Sequence, residues 1–190
     1  MSDYLELSSP VYQFPFPDDA LVVIARITLM WGQIDSQLDH ILMNLYRLDF
    51  ETFDHLFAGK TVGPKCESAK VALARSRSED ARTKTAAMIE AIIWCIRDRN
   101  VVTHGIWGWR WEPENSQWNA CAWSRSKQRY FLANDLGAFH NQVVDASVKA
   151  DAAWHAEIAG EDPPPSRNRL MLFSADSPET LPGMPPRYER

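Results

Sequence analysis

Between Arg97 and His104 the chain reads Arg97-Asp98-Arg99-Asn100-Val101-Val102-Thr103-His104, placing two guanidiniums, a carboxamide and an imidazole close together. On a helix, Arg97, Asn100 and His104 share one stripe at i, i+3 and i+7, and the long Arg99 side chain can reach back towards the imidazole. Such a group suits cleavage of RNA without a metal. An imidazole, with an ordinary pKa of about 6.5, can take the proton of a 2′-hydroxyl or protonate a leaving 5′-oxygen. A guanidinium can hold two phosphate oxygens and favour the charge that builds up on the phosphorane. Asparagine can orient the histidine or bind a phosphate oxygen. Purely structural uses stay open at this stage. His104 can cap the C-terminus of its helix, and Arg97 and Arg99 can pair with Asp98 or with an acid on a neighbouring helix.

The six residues Arg99-Asn100-Val101-Val102-Thr103-His104 resemble the Arg-polar-x-x-x-His motif of the HEPN superfamily (higher eukaryotes and prokaryotes nucleotide-binding domain), with Asn100 in the polar position. Arg97 also falls within the family's looser spacing. A long first helix, a helical bundle and a motif late in a long helix match the family's context. The similarity spans about residues 18–105, and only the motif is specific. The resemblance implies an all-helical fold, Arg99 and His104 as catalytic, Asn100 as supporting, and metal-independent endoribonuclease activity that needs no cofactor. It also implies a homodimer in which two motifs line one cleft. A role in toxin–antitoxin or phage-defence systems is implied too, with a cognate antitoxin or a nucleotidyltransferase as partner. Some family members only bind, so a non-catalytic dimer that holds a nucleotide, an RNA or a protein is the rival expectation.

The elements that must position these residues follow from periodicity. Ile24, Ile27, Trp31, Ile34, Leu38, Ile41 and Leu45 recur at steps of three and four, predicting a helix over about 20–47 with Asp18 or Asp19 as its cap. Residues 51–57 suit a short helical turn. Pro64 opens a helix to about Arg77, with proline at its first position. Ser78-Glu79-Asp80 starts a long helix that carries the motif, with Ala87, Ile89, Ile92, Ile93, Ile96, Val101 and Val102 as its apolar side and Gly105 as its stop. Leu136, Phe139, Val143, Val144, Val148 and Trp154 predict the buried side of a last helix, capped by Asn134 or Asp135 and running to about Ile158. Asp35 and Asp39 form a one-turn acidic pair on the first helix, either solvated or bridging to the motif arginines.

Between the last two helices the period changes to two. Ile106 to Trp111 and Gln117 to Trp123 flank the turn residues 112–116 and predict a β-hairpin at about 106–124, with Tyr130-Phe131-Leu132 as a short added strand. Trp107, Trp109 and Trp111 share one strand face. They suit either stacking on RNA bases or covering the bundle and a subunit contact. Arg97, Trp107, Trp109 and Arg110 are the expected substrate-binding residues, and Arg125, Lys127 and Arg129 could guide a phosphate backbone.

Composition sets the outer bounds. The net charge of −5 speaks against a generic DNA-coating protein, but residues 60–130 carry thirteen basic and seven acidic side chains, a zone compatible with RNA. No apolar stretch reaches the ~18 residues of a membrane helix, and the acidic start lacks the order of a signal peptide. Cys66, Cys95 and Cys121 are widely spaced, which fits free thiols in a reducing cytoplasm better than disulfides or a metal. Seven of the twelve prolines lie in the last thirty residues. The expectation is thus a mainly α protein: an extended segment 1–17, a four-helix HEPN-like bundle over 18–160 with a β-hairpin before the last helix, and a Pro-rich tail 161–190.

Overall fold

Ile27, Trp31, Ile34, Leu38, Ile41 and Leu45 all become buried along one stripe of a long helix, α1 (Asp18–Tyr46). Each of these side chains contributes about 1.5–3 kcal/mol by leaving water. The structure, a computed structural model, describes residues 18–114, 116–124 and 129–159. The expected N-terminal segment 1–17 and the Pro-rich tail 161–190 lie outside the described residues, as do Arg125 and Lys127. Because α1 begins at Asp18, Asp18 and Asp19 are its first residues and not its cap.

Asp49 caps the short α2 (Phe50–Phe57), its Oδ1 accepting from the Thr52 N–H at 2.8 Å. Helix α3 (Val62–Ala72) starts earlier than expected, and Pro64 sits inside its first turn. That position is tolerated because first-turn N–H groups have no acceptor within the helix. A tighter turn over Leu73–Arg75 ends it. Helix α4 (Glu79–His104) is capped by Ser78, whose Oγ accepts from the Ala81 N–H at 3.0 Å. Its buried side holds Thr85, Met88, Ile89, Ile92, Cys95, Val101 and Val102, whereas Ile93 is exposed.

The predicted hairpin is part of a three-stranded antiparallel sheet: β1 (Ile106–Glu112), β2 (Gln117–Ser124) and β3 (Arg129–Leu132), in that order. Ala122 and Phe131 carry one face of the sheet into the core. After a turn over Ala133–Asp135, helix α5 (Leu136–Trp154) buries Leu136, Phe139, Val143, Ala146, Ala150 and Ala153. Asp135 precedes it without a side-chain capping bond. Val144 and Val148 were expected inside and are exposed, Val148 by 63%. The continuous three-and-four spacing passes through the alanines instead, which let α5 lie close against both α1 and α4. Helix α3 packs on the same two helices.

A π-helical turn, His155–Ala159, ends α5 and delivers Glu157 to the interior, where it is 1% exposed. Its carboxylate accepts from Asn44 Nδ2 on α1 (3.2 Å), from the backbone N–H of Arg77 (3.3 Å) and from the Thr85 hydroxyl on α4 (3.3 Å). A buried carboxylate is costly unless its lone pairs find donors, and here three separate segments supply them.

A candidate active site at the end of α4

Helix α4 stops where its motif ends, and Gly105 explains the stop by proximity, its φ of −72° being open to any residue. Its N–H donates to the Val101 carbonyl at 2.8 Å. A Cβ at this position would collide with the Val101 carbonyl oxygen and approach Ala122 Cβ to 3.3 Å. Only glycine lets β1 leave the helix this tightly. Trp107 then folds back, its Nε1 donating to the Val102 carbonyl at 3.0 Å, and its ring packs on the core. Asp98 on α4 holds Arg129 of β3 at 2.6 Å, fixing the sheet against the helix end.

In this frame Arg99, Asn100 and His104 come together. The Arg99 Nη1 donates to Asn100 Oδ1 at 3.1 Å and lies 3.1 Å from His104 Nε2. A guanidinium has no acceptor, so Nε2 must offer its lone pair, and the neutral ring carries its proton on Nδ1. Thr103 Oγ1 donates back to the Arg99 carbonyl one turn earlier at 2.8 Å, as a helical threonine does. Beneath the guanidinium lies Trp31 of α1, with Arg99 Cζ 5.4 Å from its ring centroid. Burial pulls the Arg99 pKa below its ordinary value, and the charge of Asp35 opposes that shift. His104 remains exposed at the helix end.

One turn along α1 from Trp31 is Asp35, and one turn further Asp39. These acids are neither free in solvent nor bonded to the motif arginines. Lys65 of α3, only 6% exposed, takes both, at 2.8 Å from Asp35 and 2.6 Å from Asp39. Burial lowers the Lys65 pKa, but the two carboxylates outweigh it and raise the value overall. One ammonium cannot fully compensate two acids, and burial leaves the Asp39 carboxyl above its usual range. Lys65 and Trp31 were missed from sequence. Their only signal is the Trp31–Asp35–Asp39 spacing of one turn per step.

The other expected site residues are dispersed. Arg97 is exposed on the same stripe of α4 as Asn100 and His104, as the spacing predicts, but among the described contacts it bonds neither of them. Arg129, a suggested phosphate guide, is tied to Asp98. Trp109 is exposed on the same sheet face as Trp107, with Trp111 and Trp118 paired beyond it at 5.5 Å between ring centroids. Arg110 points to the opposite face, where its guanidinium sits 4.4 Å from the Tyr130 ring centroid. Successive strand residues alternate faces, so Trp109 and Arg110 cannot share one contact surface.

The cysteines take no part. All three are free and buried, and burial pushes the Cys66 thiol up to about 12 and the Cys95 thiol up to about 11. Among the described residues no cluster of His, Cys, Asp and Glu has metal-binding geometry, and no helix is long and apolar enough to cross a membrane. A wider depression of about 550 Å³, lined by Leu73, Arg82, Ala86 and Glu90, lies beside the first half of α4, away from the motif. Compared with family models, curated proteins and solved structures, the chain gives no match.

Proposed function

We propose that the chain is a HEPN-like endoribonuclease that cuts RNA by attack of the substrate's own 2′-hydroxyl, acting as a homodimer in the cytoplasm as a toxin or phage-defence component. The observation that carries this reading is the single Arg99 Nη1 held 3.1 Å from both Asn100 Oδ1 and His104 Nε2 at an exposed helix end. When a scissile phosphate enters, Arg99 transfers its donors from the imidazole to the phosphate oxygens, which releases the Nε2 lone pair beside the substrate. His104 Nε2 takes the 2′-hydroxyl proton as the 2′-oxygen bonds to phosphorus. Arg99 stabilises the added charge on the phosphorane, and Asn100 keeps the guanidinium in place. The bond to the 5′-oxygen breaks, and that oxygen receives a proton from an imidazolium, leaving a 2′,3′-cyclic phosphate and a 5′-hydroxyl. A dimer supplies two His104 side chains, one as base and one as acid.

The test is cleavage of single-stranded RNA in the presence of a chelator. Turnover is expected there, with loss in His104→Ala and with a substrate that lacks the 2′-hydroxyl at the scissile ribose. Undiminished cleavage by His104→Ala removes the assignment. A second reading has its own support: Arg99 is stacked on Trp31 and bonded twice within the chain, as a structural arginine would be. On that reading the protein is a non-catalytic module that binds a nucleotide, an RNA or a protein partner such as an antitoxin or nucleotidyltransferase. A protein that cleaves nothing yet melts higher with RNA or a nucleotide identifies this case.

A further inference from the structure

The sheet face that points away from the bundle carries a notch unused by the cleavage chemistry. On β1 this face presents Ile106, Gly108 and Arg110, and the register sets Gly108 opposite Cys121, Ile106 opposite Trp123, and Trp123 opposite Tyr130. Gly108 has no side chain, and a Cβ built there meets nothing within 4 Å. The gap opens as a concavity of about 290 Å³, bordered by Ile106, Arg110, Cys121, Trp123 and Tyr130. Its aromatic wall is continuous, since the Trp123 and Tyr130 rings lie at 25° with centroids 6.3 Å apart. Arg110 covers Tyr130 and makes no ion pair among the described residues. Glu112, the acid on the same face, accepts from Asn119 Nδ2 at 2.9 Å. Cys121 closes the floor and is almost completely buried.

We propose that this notch holds one unstacked nucleobase of single-stranded RNA, with the adjoining phosphate on Arg110. The proposal rests on the RNA reading above and narrows it to single strands. The volume lies at the lower edge of small-ligand pockets, about 300 Å³, which suits a single base better than a peptide element or a helix. Aromatic walls with a rim cation are the combination that binds bases regardless of identity and phosphates by charge. Bases of a duplex are stacked and paired and cannot enter. Position supports the link to the motif, because β1 begins two residues after His104 and leads directly from the helix end to the notch.

Gly108→Val provides the test. A β-branched residue suits a strand and the space for it is empty, so the fold is retained and the notch is filled. In the His104→Ala background, where binding is read without cleavage, fluorescence anisotropy of a labelled single-stranded oligouridylate is expected to weaken about tenfold or more with Gly108→Val. Arg110→Gln should weaken binding and lower the slope of log K against log salt by about one. The same oligonucleotide annealed to its complement should bind poorly and be insensitive to either change. Unchanged single-strand affinity in a folded Gly108→Val protein overturns the proposal, as does equal binding of the duplex. So does a Gly108→Val effect confined to self-association in sedimentation. If the wild type cleaves no RNA but the Gly108-dependent binding stands, the nuclease reading fails alone. If cleavage stands and Gly108→Val binds normally, the notch fails alone.

Discussion

Arg99 and His104 share one hydrogen bond, 3.1 Å from Nη1 to Nε2, in which only the arginine can donate. The contact fixes the imidazole tautomer and leaves Nε2 as the basic nitrogen. On the proposed mechanism it also makes the guanidinium a cover that must move before His104 can act as base.

Arg99→Lys keeps the charge but loses the planar guanidinium whose Nη1 bonds both Asn100 and His104. Cleavage is expected to fall about 10²–10³-fold, since a point charge cannot reproduce the paired donors. His104→Ala should cost about 10²–10⁴-fold or more in kcat. Its melting free energy should stay within about 0.5 kcal/mol of wild type, because the side chain is exposed. Single-turnover kinetics and a thermal melt together check both halves, and a large stability loss in His104→Ala would count against a purely chemical role.

Lys65 keeps Asp35 and Asp39 occupied and away from Arg99. Lys65→Met strands two partly buried carboxylates and should destabilise by about 1–3 kcal/mol, less than a fully buried pair would because both acids keep some contact with water. Asp35 would then compete for Arg99, and activity should fall as well. Lys65→Met combined with Asp35→Asn and Asp39→Asn should recover most of the stability and most of the activity. Denaturant melts and cleavage rates across the series read the coupling directly.

The same lysine predicts a pH dependence. Its folded-state pKa lies above the ordinary 10.5, so its stabilising contribution is complete below 10.5 and is lost as pH rises through the higher folded value. The stability gap between wild type and Lys65→Met should be flat from neutral pH to about 10.5 and should narrow above it. A gap that widens in alkali would contradict the sign.

Gly105→Ala introduces a Cβ where the Val101 carbonyl and Ala122 already stand. The strain should lower stability by about 1–3 kcal/mol. It should also displace β1 from the helix end, reducing activity more than an alanine at the exposed Ile106 does. Circular dichroism melts paired with cleavage assays separate the two effects.

The helices were legible because their apolar residues recur at helical spacing over many turns, as from Ile27 to Leu45. In α5 side-chain bulk is a misleading guide to burial. Val148 looks like core and Ala150 does not, yet alanine is what a close approach to α1 and α4 requires. The motif triad was legible because five residues of helix bring Arg99 and His104 within reach of each other. The Lys65 bridge was not, since it joins α3 to α1 and no local spacing announces a partner thirty residues away. The outward notch was equally hidden. It arises from the absence of a side chain at Gly108 together with a register that only a folded sheet reveals.

Glu157 clasps α1, the turn before α4 and Thr85 at one pole of the bundle, whereas His104 lies nineteen residues further along α4, roughly 28 Å away. The molecule is therefore laced shut at one extremity and exposes His104 at the other. Alterations at the exposed His104 leave the lacing untouched, so a loss of cleavage there with an unchanged melt reports on the site and not on collapse.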